Sequence, residues 1–103
     1  MHAQEFFHRI GTLLDDLEAS DLVAARLGVS EACDRVVDAL LQRRASGHKV
    51  LLIGNGGSAA IAGHMEMDLC NRVGVRAAVF HDPPVLTALA NDHGYEAAFQ
   101  RMV

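Results

Sequence analysis

"KVLLIGNGGSAAIAGHMEMDL", residues 49–69, is the stretch on which the fold turns. KVLLIG is a short, continuously apolar run ending in glycine, the pattern of a strand buried on both faces of a parallel sheet. Asn55, Gly56 and Gly57 then allow a sharp backbone turn, and from Ser58 to about Val73 the chain reads as helix. A second short strand follows at RAAVF (76–80). The 22 residues between Ile53 and Arg76 leave room for a right-handed crossover, which takes a dozen or more.

On either side of this unit the period is helical. Phe6, Phe7, Ile10, Leu13, Leu14 and Leu17 recur at three- and four-residue steps, with acidic residues mostly between them. Ser20-Asp21 interrupts the pattern. A second helix begins after Ser30, read as its N-cap, with Glu31 in the first turn and Arg43, Arg44 and Gly47 at its end. Downstream, Asp82-Pro83 opens a helix that runs to about Ala90, Gly94 punctuates, and YEAAFQRMV starts another. The predicted order is α-α-β-α-β-α-α. Two strands are fewer than a doubly wound sheet uses, so the chain reads as the front half of an α/β domain.

A chain of 103 residues, half of them apolar, is one domain at most. Nine Lys and Arg against thirteen Asp and Glu give a net charge of −4, which argues against a nucleic-acid partner. No run approaches the roughly 20 apolar residues of a membrane span, and the N-terminus has no secretory pattern. Cys33 and Cys70 lack any CxxC spacing and are expected to be reduced, buried thiols of a cytoplasmic protein.

The glycine turn carries chemistry. Strand, turn and helix N-terminus bring unpartnered N–H groups and the positive end of the helix dipole to one point, which suits a phosphate. Ser58 is expected to cap the helix and to offer its hydroxyl to the ligand. GNGGS is neither a P-loop nor a GxGxxG fingerprint and has no lysine. The same turn could also connect strand to helix without a ligand. Further along, His64 and Asp68 are four residues apart and share a helix face. They could ligate a divalent metal such as zinc, or form a plain surface pair. From residue type alone, Asn91 and Asp92 are loop residues and Tyr95 is packing.

GNGGSAAIAGHMEMDL followed by VLTALANDHGYEAAF resembles the SIS (sugar isomerase) phosphosugar-binding family. Within it the match is nearest to the phosphoheptose isomerase group and its non-enzymatic replication-initiator-associating relatives. The resemblance implies a flavodoxin-like three-layer α/β/α domain, of which residues 48–103 are the first half. It implies that residues 1–47 form an N-terminal helical region assembling a homotetramer. The implied reaction is zinc-assisted conversion of sedoheptulose 7-phosphate to D-glycero-D-manno-heptose 7-phosphate, with a sugar phosphate as the only expected ligand besides zinc.

Carried onto this chain, Asn55, Gly56 and Gly57 match the substrate-contacting segment, with Ser58 following at the helix start. Asn91 and Asp92 match a second substrate-contacting pair. His64 matches a zinc ligand. Asp68 stands where the family has a glutamate that ligates zinc and serves as acid/base, and it is one methylene shorter. The family's serine- and threonine-rich phosphate loop, and a glutamine and a histidine completing the zinc site, fall past Val103. The isolated chain is therefore expected to be inactive. A non-catalytic SIS module that binds a phosphosugar or a protein is the alternative.

Overall fold

A computed structural model describes residues 2–103. In chain order they form α1 (Ala3–Asp15), β1 (Ala19–Ser20), β2 (Arg26–Leu27), α2 (Val29–Ser46), β3 (Lys49–Leu52) and α3 (Gly57–Asp68). A π-helical turn (Leu69–Val73), β4 (Arg76–Val79), α4 (Pro83–His93), a 3-10 turn (Tyr95–Ala97) and α5 (Ala98–Met102) follow. The chain divides into two compact units, one reaching to Ala39 and one from Leu40 to Val103, so the division falls inside α2.

In the first unit, α1 opens with Glu5 accepting the His2 backbone N–H at 3.3 Å, which occupies one of the donors a helix start leaves free. Its apolar stripe stays open: Phe7 is 67% exposed and Leu13 60%. The break at Ser20-Asp21 is a small hairpin that periodicity did not reveal. β1 and β2 pair antiparallel, Ala19 with Leu27 and Ser20 with Arg26. Asp21 builds the loop, its Oδ1 accepting the backbone N–H groups of Val23 at 3.0 Å and Ala25 at 2.9 Å. Two-residue strands carry too little alternation to read in sequence. Helix α2 starts at Val29, two residues earlier than expected, and the Gly28 carbonyl accepts the Ala32 N–H at 2.9 Å. Ser30 is therefore inside the first turn and is not the N-cap.

In the second unit, β3 and β4 pair in parallel, Lys49 with Arg76 through Leu52 with Val79. Parallel neighbours need a crossover, and α3 with its π-helical turn supplies it, packing on both strands. The turn closes at Gly74, where the Val75 N–H donates to the Leu69 carbonyl at 2.9 Å. Ala62, Leu69, Val75 and Ala98 form the buried core. Arg44 at the end of α2 donates to the Val73 carbonyl (3.1 Å), and Arg76 to the Gly47 carbonyl (3.2 Å).

Two expectations are corrected here. β3 is not buried on both faces: its residues alternate exposed and half-buried, with Leu51 39% exposed. An apolar run reports what a strand can bury, and a two-stranded sheet has too few neighbours to cover both sides. Cys33 and Cys70 are free, as expected, but exposed. Cys33 lies on the surface of α2 and Cys70 on that of the π-helical turn. No helix among the described residues is long and apolar enough to cross a membrane.

Val75 is fully enclosed, whereas Val23 on the hairpin loop is 82% exposed. Val75→Ala is expected to lower unfolding free energy by about 1–3 kcal/mol, the cost of deleting buried methyl groups. Val23→Ala should stay within about 0.5 kcal/mol. Urea titrations of both variants check this; equal losses would contradict the assigned core.

Candidate functional site

The site begins where β3 runs into α3. A Cβ on Gly54 would lie 2.7 Å from the Ser58 carbonyl carbon and oxygen and 2.9 Å from the Ala59 nitrogen. These are backbone atoms of the first helical turn and cannot swing aside, so only glycine fits. Gly56 has open space but adopts φ 55°, ψ −122°, a conformation L side chains rarely take. One glycine is required by proximity, the other by the turn itself.

That turn places the helix start one residue before the expected position. Gly56 is the N-cap, and its carbonyl accepts the N–H groups of Ala59 (3.1 Å) and Ala60 (3.2 Å). Ser58 lies inside the helix and does not cap it; no side chain does. The Asn55 carbonyl takes the Ser58 N–H at 3.0 Å. The amides of Ser58, Ala59 and Ala60 are thus satisfied within the turn. Among the described residues, the amides of Gly56 and Gly57 have no protein acceptor. They sit at the positive end of α3 and are the donors this turn can offer an anion.

His64 and Asp68 share one face of α3, as their spacing predicts, with Nε2 3.3 Å from Oδ2. Arg72, in the π-helical turn, reaches the other carboxylate oxygen of Asp68 at 3.3 Å. Asp68 is two-thirds covered while His64 is largely exposed. A separation of 3.3 Å is close to the edge of a tetrahedron around an ion with bonds of about 2.0–2.1 Å. The pair therefore fits as two ligands of one zinc ion. No group of three or more His, Cys, Asp or Glu gathers among the described residues. The His81 ring packs over the same helix at Gly63, where an added Cβ would lie 3.5 Å from its Nε2. Its Nδ1 is buried without a partner.

Asn91 and Asp92 occupy the last turn of α4, both exposed, with Asn91 Nδ2 donating to Asp92 Oδ1 at 3.3 Å. The link from this segment to the glycine turn is Tyr95. Its hydroxyl donates to Asn55 Oδ1, forty residues away in sequence. Its ring meets Phe99 edge-on at a centroid distance of 6.3 Å. The tyrosine ring packs, as its residue type predicts, and its hydroxyl also reaches the glycine turn. The available signal was a tyrosine, with its polar tip, immediately after the helix-ending Gly94.

No family model matches the sequence. Curated proteins do. Over 95 residues the chain is 41% identical to the phosphoheptose isomerase of Burkholderia pseudomallei, covering 84% of this chain and 48% of that protein. Over 104 residues it is 38% identical to the phosphoheptose isomerase of Paramagnetospirillum magneticum, covering 92% of this chain and 54% of that protein. Among solved structures, phosphoheptose isomerase GmhA from Neisseria gonorrhoeae superposes with a TM-score of 0.65 at 32% identity, over 71% of this chain and 40% of that one. The chain spans about half the length of the curated relatives it matches.

The glycine geometry orders three substitutions by stability. Gly54→Ala is expected to cost about 1–3 kcal/mol through its backbone overlap, and Gly56→Ala about 1 kcal/mol or more through its positive φ. Gly57→Ala, in open space at an ordinary φ, should be neutral or slightly stabilising. Thermal unfolding of the three variants checks the order, and a Gly57 variant as damaged as the Gly54 variant would contradict it.

Proposed function

Because this chain belongs to the phosphoheptose isomerase family of SIS domains and spans about half the length of its curated relatives, we propose that it forms the N-terminal half of a sugar-phosphate isomerase site. The reaction assigned is sedoheptulose 7-phosphate to D-glycero-D-manno-heptose 7-phosphate. One observation carries this reading: a glycine turn with free amides opens the same helix that presents His64 and Asp68 at 3.3 Å.

Moving a carbonyl between carbons 1 and 2 requires a base to remove a proton beside it and an acid to return one. Asn55, Gly56, Gly57 and Ser58 bind the phosphosugar, and Asn91 and Asp92 contact its hydroxyls. The Asp68 carboxylate takes and returns the proton. His64 and Asp68 would hold zinc, which when bound would polarise the substrate carbonyl. Being one methylene shorter than the family's glutamate, Asp68 keeps the ligating group while drawing the base back from the carbon it must reach. With a partial ligand set, this half-site binds more readily than it turns over. Copies associate as a homotetramer through the open α1 stripe of Phe6, Phe7, Ile10, Leu13, Leu14 and Leu17.

A second reading is a non-catalytic SIS module that binds a phosphosugar or a protein. It is favoured by Arg72, which already occupies one Asp68 oxygen, and by the lack of a third metal donor among the described residues.

Calorimetric titration of the purified chain with sedoheptulose 7-phosphate should show binding that Gly56→Ala weakens, and product formation should stay below detection. Zinc retained after dialysis should fall several-fold in His64→Ala. Absence of sugar-phosphate binding would overturn the substrate assignment, and measurable turnover would overturn the half-site. Equal zinc content in wild type and His64→Ala would remove the metal role and leave the binding module.

A further inference from the structure

The carboxamide of Asn55 has two different ends: an oxygen that accepts and an NH2 group that donates twice. Tyr95 distinguishes them. Its hydroxyl donates to Oδ1, which holds the oxygen toward the tyrosine and leaves the NH2 end facing away from it. This side-chain contact spans forty residues of sequence and joins the turn after α4 to the turn before α3. Both ends of it are anchored. Tyr95 follows Gly94, whose N–H donates to the Ala90 carbonyl at 3.0 Å and whose φ of 88° redirects the chain out of α4. The tyrosine ring is braced edge-on by Phe99, beside the fully buried Ala98. Asn55 is braced by its own carbonyl, which accepts the Ser58 N–H at 3.0 Å.

We propose that Tyr95 is a positioning residue that sets the orientation of the Asn55 carboxamide, turning its NH2 donors toward an acceptor-rich ligand at the glycine turn. Without the tyrosine hydroxyl an exposed asparagine samples both amide orientations, and only one of them presents donors. A phosphosugar offers oxygens that are predominantly acceptors, so fixing the donor orientation removes a conformational cost from binding. The inference rests on reading the turn as a sugar-phosphate site, and it assigns that site a residue whose ring chemistry looked like packing.

The test uses Tyr95→Phe, which removes the hydroxyl and keeps the ring against Phe99. In 15N-labelled protein without ligand, the Asn55 side-chain NH2 pair should be rigid by heteronuclear NOE in wild type and mobile in Tyr95→Phe, with unchanged thermal midpoint. Affinity for sedoheptulose 7-phosphate should fall about five- to tenfold in Tyr95→Phe, the scale of one hydrogen bond. In an Asn55→Ala background Tyr95→Phe should have no further effect. An NH2 pair equally mobile in both proteins would overturn the inference whether or not sugar phosphate binds. So would a Tyr95→Phe loss that persists undiminished in Asn55→Ala. If wild type bound no sugar phosphate, the substrate reading would fail, and the ligand-free NH2 signal would still decide the role of Tyr95.

Discussion

The first turn of α3 rests against the backbone of Gly54, and the candidate site depends on that approach. With the Ser58 carbonyl where a Cβ would need to be, the helix can start directly at the end of β3. The turn between them is then four residues long, and Gly56 must adopt a conformation open mainly to glycine. These two constraints fix which amides are used inside the turn and which face outward. They also fix the direction of α3, and through it the face on which His64 and Asp68 stand. A side chain at residue 54 would disturb the glycine turn and the placement of His64 and Asp68 together.

The same helix does two jobs. One side, through Ala62 and then Leu69 in the π-helical turn, packs on the parallel pair β3 and β4. The other carries His64, Asp68 and, a turn later, Arg72. The i, i+4 chain His64–Asp68–Arg72 gives one carboxylate two partners of different character: an imidazole that can share a metal with it and a guanidinium that cannot. Exposed pairs of this kind contribute about 0–1 kcal/mol to stability, so their arrangement matters for what the carboxylate can bind, not for holding the fold. The sheet beneath is narrow, and the alternation of exposed and half-buried residues along β3 shows a strand with one face covered.

Much of this was legible in the sequence because it is local. A strand of about four residues, a glycine turn and a helix of about three turns each follow from side-chain size and backbone freedom over a few residues. Strand pairing in parallel followed from the length available for the crossover. Sequence expectation and structure part where one local preference overrides another. Ser58 and Ser30 are good caps by type, yet Gly56 and the start at Val29 placed each inside its helix. The hairpin of β1 and β2 went unseen because Asp21 builds it through hydrogen bonds to its own loop, which leaves no hydrophobic period.

The sequence by itself determined the class of the fold, the glycine turn and the shared face of His64 and Asp68, because helix geometry and glycine's freedom act over a handful of residues. Only the tertiary structure decided that Tyr95 meets Asn55, that Cys33 and Cys70 are exposed, and that β3 has an open face. Each of those depends on where residues distant in the chain come to rest, and that is set by how α3 and α4 pack, which no local pattern specifies.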